Sequence, residues 1–233
     1  MNKLIFVHGF NYDPRTFGPN HPEHHLYARW RQMLQRGWGT VGFTWFSNPG
    51  LWNAWRHGYL GRYKYTWVLA EQASDRLASI IAASQDKVDI VCHSLGSRVT
   101  MLALQRISNV SRVLILNGAE YSTTGEAVAR ACPEVKFYNV VVPADDVLGT
   151  VARFAPGHDW KFLGSHGLVS APSNWQDLRL DDEGSLAQVR AEELGLPIPA
   201  GDNPHQVGDH WYSYENENNW PIYRAIFSGE WDL

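Results

Sequence analysis

Short apolar runs alternate along this chain with stretches whose apolar residues recur every three or four positions. Residues 3–7 (KLIFV) run straight into His8-Gly9, the pattern of a strand buried on both faces that ends in a loop. Asn20, Pro22 and Glu23 make a helix start, and Leu26, Trp30, Met33 and Leu34 follow at helical spacing until Gly37 and Gly39 stop it. Residues 40–46 (TVGFTWF) predict a second strand, broken by Asn48-Pro49-Gly50. A helix over about 64–83 is predicted from Trp67, Ala70, Ala73, Leu77, Ile80 and Ile81. Strands at 88–92, 112–116 and 136–142 then alternate with helices at 96–107 and 125–131. Beyond residue 143 the pattern weakens into a Gly-, Pro-, Asn- and Asp-rich region. A strand at 175–180 and a helix at 221–227 are the elements expected there. Strand and helix in alternation predict an α/β fold: a mostly parallel sheet with helices on both faces, in one domain spanning residues 1–233.

Composition narrows the function. Hydrophobic residues are 44% and charged residues 19% of the 233, enough apolar content for a true core and against a disordered chain. The net charge of −4 gives no basic surplus for nucleic acid or an anionic membrane. Two cysteines, Cys92 and Cys132, make no disulfide framework. The apolar run at 4–7 is too short for a signal-peptide core, and no run approaches a membrane span, so a cytoplasmic protein is the expectation. Composition leaves the oligomeric state open.

The chemistry concentrates in Val88-Asp89-Ile90-Val91-Cys92-His93-Ser94-Leu95-Gly96-Ser97. A serine sits between a predicted strand and a predicted helix, with small residues two before and two after. A nucleophile on so sharp a turn needs small neighbours, so that strand and helix can approach. The usual pattern has glycine at both flanks; here the first is Cys92, small and apolar. Cys92 is expected to be buried and structural, and His93 to pack rather than serve as the base. Acyl transfer also needs donors for the developing oxyanion. The backbone N–H of Leu95, next after the serine, is one candidate. The N–H of Phe10, in the His8-Gly9-Phe10 loop after the first strand, is the other.

With these two motifs in place, the chain resembles the α/β-hydrolase family over residues 3–150. The resemblance implies a compact member without the first two antiparallel strands and without a large lid domain. It also implies a triad in the chain order Ser94, acid, histidine. The acid falls in the loop Val142-Pro143-Ala144-Asp145-Asp146-Val147-Leu148. The family's pattern of an acid, one residue, then two apolar residues favours Asp145 over Asp146. The base is expected beyond the last strand. His210 in Gly208-Asp209-His210-Trp211 fits best and His205 next, whereas His158 and His166 precede the strand at 175. His21-Pro22-Glu23-His24-His25 resembles a metal cluster, but Pro22 and Glu23 are better read as helix-start residues, so no metal is expected.

The activity implied is hydrolysis of a small acyl ester through an acyl-enzyme on Ser94, with no cofactor. An ester is the commonest substrate that the resemblance implies; a thioester or an amide would use the same parts, and the sequence does not separate them. The alternatives are a non-catalytic hydrolase-fold protein that binds a ligand or partner, and a thioesterase or lipase. A third of the chain's aromatics lie between residues 38 and 67. Trp52, Trp55 and Tyr59 follow the end of the second strand at helical spacing, where a loop could line a pocket for the acyl group; packing of that loop on the core is the competing reading.

Overall fold

The apolar runs become six strands: β1 (Lys3–Val7), β2 (Thr40–Phe43), β3 (Val88–His93), β4 (Val110–Leu116), β5 (Lys136–Val140) and β6 (Trp175–Leu178). In the computed structural model they form one sheet, ordered β2-β1-β3-β4-β5-β6, with every neighbouring pair parallel. The structure describes residues 2–10, 12, 26–34, 39–47, 50–151, 160–180, 182–198 and 209–232; for 50–60, 62, 151 and 209 it describes the backbone alone. The helices are α1 (Leu26–Leu34), α2 (Gly50–Ala82), α3 (Gly96–Leu104), α4 (Ser122–Ala131), α5 (Asp146–Val151), α6 (Leu163–His166), α7 (Leu186–Glu193), α8 (Tyr212–Glu215) and α9 (Asn219–Ser228), with a 3₁₀ turn at Asp209–Trp211 before α8.

Strand alternation sorts the side chains into two cores. Ile5, Val7, Ile90, Cys92, Val113, Ile115 and Phe137 face one side and pack with residues of α2, α3 and α4. Leu4, Phe6, Val91, Leu114, Leu116, Tyr138 and Val140 face the other and pack with residues of α1, α7 and α9. Helices therefore cover both faces, and the middle strands can be apolar throughout. No described helix is long and apolar enough to cross a membrane.

The strand order reverses at β1, whose neighbours are β2 on one side and β3 on the other. In open parallel sheets the crevice beyond the strand C-termini at such a reversal is where ligands bind. Both motifs singled out in the sequence, His8-Gly9-Phe10 after β1 and Ser94 after β3, open onto it.

Several elements differ from expectation, the short helices α5, α6 and α8 among them. Residues 50–63 are not a loop: they are the first turns of α2, a helix of 33 residues. From Tyr63 onward it buries Tyr63, Trp67, Ala70, Ala73 and Leu77 against the sheet, and that contact supports a helix longer than the local pattern alone would. Strand β2 stops at Phe43, because the Trp45 N–H leaves the ladder and donates to His8 Nε2 at 3.2 Å. Helix α7 was not foreseen. The residues it buries are Ala187, Gln188 and Ala191, too small or too polar to write a helical period. Its start is fixed by the Ser185 hydroxyl, which accepts the Gln188 N–H at 3.2 Å.

Candidate active site

Ser94 has φ 51°, a left-handed conformation rare for a residue with a Cβ. Holding it there costs on the order of 1–3 kcal/mol, so the surroundings must impose it. They do so through both backbone polar groups. Ser94 N–H donates to the Leu116 carbonyl at 3.0 Å, and the Ser94 carbonyl accepts from Ala119 N–H at 2.9 Å and from the Ser97 hydroxyl at 2.7 Å. The glycine two residues on is obligatory. A Cβ at Gly96 would lie 2.5 Å from the Val7 carbonyl oxygen and 2.6 Å from that of His8. No such constraint acts at Cys92, whose side chain points into the α2–α3 core and whose thiol is pushed up to about 12 by burial. It is an inert packing residue.

His93 points to the opposite face. Its Nε2–H donates to the His210 carbonyl at 3.1 Å, its ring lies 4.7 Å from the His210 ring, and Tyr214 meets it edge-on. Burial, with His210 adding to it, holds its imidazole well below the ordinary histidine range, so it is neutral. The residue next to Ser94 thus seats the 3₁₀ turn that carries His210.

Asp145 and His210, 65 positions apart, meet through a 2.7 Å bond between Asp145 Oδ2 and His210 Nδ1. Asp145 is buried, and its second oxygen, Oδ1, accepts the Leu148 N–H at 2.9 Å, capping α5. Asp145 thus holds His210 with one oxygen and caps α5 with the other. Asp146 is an exposed residue in the first turn of α5. Among the described residues, neither the Ser94 hydroxyl nor His210 Nε2 is hydrogen-bonded, and the two residues are 8% and 4% exposed. Catalytic hydrogen bonds are often long without substrate.

The β1 loop presses against the serine. A Cβ at Gly9 would come within 2.7 Å of Ser94 Cβ and 3.2 Å of its Oγ, so only glycine lets this backbone approach. His8 sets the loop's orientation. Its Nε2 accepts from Trp45 N–H, which leaves the proton on Nδ1 to donate to the Gly9 carbonyl at 2.9 Å. Burial pushes His8 down to about 4, so it stays neutral, stacked on Trp45. The Gly9 carbonyl and the Phe10 N–H share one planar peptide, so holding one aims the other. Leu95 directly precedes α3, where backbone N–H groups lack helical acceptors. Neither His8's role nor that of Asn117 came from the sequence. Asn117 donates to Asp145 Oδ2 at 2.8 Å; an isolated asparagine after a strand carries no motif.

The remaining expected residues stay apart. The side chains of Trp52, Trp55 and Tyr59 lie outside the described residues, as do His205, His158 and the run His21–His25. Of the other aromatics in that stretch, Phe43, Trp45, Tyr63 and Trp67 are buried in the core, and Phe46 is exposed. His166 is exposed and bonds the Ser165 hydroxyl. Among the described residues no group of three or more His, Cys, Asp or Glu could hold a metal ion.

A search of curated proteins gave no match to this chain. Residues 2–156 match a family described as an alpha/beta hydrolase of unknown function, DUF900. The matched span runs from β1 through α5 and contains the β1 loop, Ser94 and Asp145. With a wholly parallel sheet, a left-handed serine after β3 and an acid after β5, the chain belongs to this alpha/beta hydrolase family.

Proposed function

We propose that the protein is a serine hydrolase that cleaves a small carboxylic ester through an acyl-enzyme on Ser94. The observation that carries this reading is the buried Asp145–His210 hydrogen bond, on a turn whose His210 carbonyl is bonded by His93, the residue before the left-handed Ser94. Asp145 fixes His210 with its proton on Nδ1, leaving Nε2 as the base. Nε2 takes the Ser94 proton as Oγ attacks the ester carbonyl carbon. The N–H groups of Phe10 and Leu95 hold the oxyanion, and the tetrahedral intermediate expels the alcohol, protonated by His210. Water, activated by the same nitrogen, then attacks the acyl-enzyme and releases the acid. Negative charge develops only on the former carbonyl oxygen, so prepositioned N–H donors are the largest expected contribution to rate. No step requires a metal or organic cofactor.

The test is kinetics on a panel of p-nitrophenyl esters together with labelling by a fluorophosphonate. Wild type is expected to turn over esters and to label at Ser94. Ser94→Ala is expected to lose on the order of 10³-fold or more in kcat, and all labelling. Folded wild type that neither turns over esters nor labels would assign the fold to ligand or partner binding instead. Faster turnover of thioesters than of matched esters would move the substrate class and leave the mechanism intact.

A further inference from the structure

We propose that Asn117 is a positioning residue that couples the turn of the nucleophile to the orientation of the acid; the inference rests on the serine-hydrolase reading above. Asn117 directly follows β4, between the strand that carries Ser94 and the strand that leads to Asp145. It is fully buried, and its φ of 46° makes it, with Ser94, one of two left-handed non-glycine residues among those described.

Its backbone segment braces the serine. The residue before it, Leu116, accepts the Ser94 N–H, and the residue two beyond it, Ala119, donates to the Ser94 carbonyl. Its side chain braces the acid: Nδ2 donates at 2.8 Å to Asp145 Oδ2, the same oxygen that takes His210 Nδ1 at 2.7 Å. With Leu148 N–H on Oδ1, the carboxylate is held by donors from three separate segments. Its plane is thereby fixed toward His210.

The turn itself is clamped. A Cβ at Gly164 would lie 2.4 Å from the Asn117 carbonyl carbon, and Gly164 N–H donates to the Gly118 carbonyl at 2.8 Å. One residue type meets both demands. Asparagine is several-fold enriched at positive φ among residues with a Cβ, and its amide donates a neutral hydrogen bond. Aspartate would tolerate the backbone but set a second carboxylate against Asp145. Glycine would tolerate the backbone and supply no donor.

Those two substitutions are the test. Asn117→Gly keeps the turn and removes the donor. It is expected to stay folded and to lose about 10- to 100-fold in kcat on a p-nitrophenyl ester, with KM held, the scale of one hydrogen bond to a buried charge. Asn117→Asp is expected to lose more. A readout independent of catalysis is the proton NMR resonance of the His210 Nδ1–H, which is expected to move in both variants. Folded Asn117→Gly with wild-type kcat and an unmoved resonance overturns the proposal. Should Asn117→Gly fail to fold, Asn117→Asp decides on the same two readouts, and wild-type behaviour in it overturns the proposal. A wild type inert to esters and to the fluorophosphonate speaks against the serine-hydrolase reading instead, and the resonance still reports whether Asn117 orders the Asp145–His210 pair.

Discussion

Two buried polar clusters hang from the same loop after β4, and they are built to opposite ends. At its start Asn117 reaches the Asp145–His210 pair. Three residues on, Glu120 reaches Arg98 of α3: its Oε2 takes an Arg98 guanidinium N–H at 2.9 Å, and its Oε1 takes the Tyr121 N–H at 2.8 Å. The other Arg98 nitrogens donate to the Trp67 carbonyl at 3.2 Å and to Glu71 at 2.6 Å, and the guanidinium stacks on the Trp67 ring. This second cluster closes on itself. In the first, His210 Nε2 is unengaged among the described residues, as is the Oγ of Ser94, the residue after His93. Closed clusters hold shape; a cluster with spare hydrogen-bonding capacity can meet a substrate.

The sharpest way to break the contrast is Asp145→Asn. It is expected to lower kcat by about 10³- to 10⁴-fold, because the amide holds the wrong histidine tautomer, while circular dichroism shows the fold intact. A loss below about tenfold would show that the Asp145 cluster is as structural as the other. Glu120→Ala should act the other way round. Leaving Arg98 buried without its buried partner is expected to cost about 3–5 kcal/mol in urea unfolding, with kcat of the folded fraction retained. Glu71 is 54% exposed at the side chain, so Glu71→Ala should stay within about 1 kcal/mol. If the two glutamate variants destabilise equally, burial does not set the difference.

A smaller effect follows from His8, buried and closed in like Arg98. Its folded value of about 4 lies below the ordinary 6.5, so between these values the unfolded chain binds more protons than the folded one. Its contribution is therefore fully present above about 6.5 and is lost as pH falls toward 4, by about 3 kcal/mol in total. His93 acts in the same direction. Burial raises the Glu120 carboxyl, which acts in the opposite sense, so the comparison must isolate His8. Urea midpoints from pH 7 to pH 4 are expected to fall less steeply in His8→Gln than in wild type. Parallel slopes would mean that His8 is not held neutral.

Much of the fold could be read along the chain because strands buried on both faces leave unbroken apolar runs, as at 4–7 and 113–116. The serine turn could be read because a sharp strand-to-helix turn demands small flanks, and Gly96 shows why when a Cβ is imagined there against the Val7 and His8 carbonyls. The start of α2 could not be read: residues 50–63 follow Asn48-Pro49-Gly50, and a local breaker says nothing of the core that supports the helix beyond it. Nor could α7, whose buried face is mostly alanine.

The sequence by itself determined the alternation of strand and helix, the serine turn, and the residue types open to acid and base. Those are local properties of side-chain size, backbone preference and period. Only the tertiary structure decided that Asp145 rather than Asp146 faces His210, that one aspartate both caps α5 and holds the histidine, and that Asn117 ties the serine's turn to that aspartate. The bonds of Asp145 to His210 and to Asn117 join groups 65 and 28 positions apart, and a hydrogen bond of 2.7–2.8 Å depends on how strands and helices pack, which no local pattern carries.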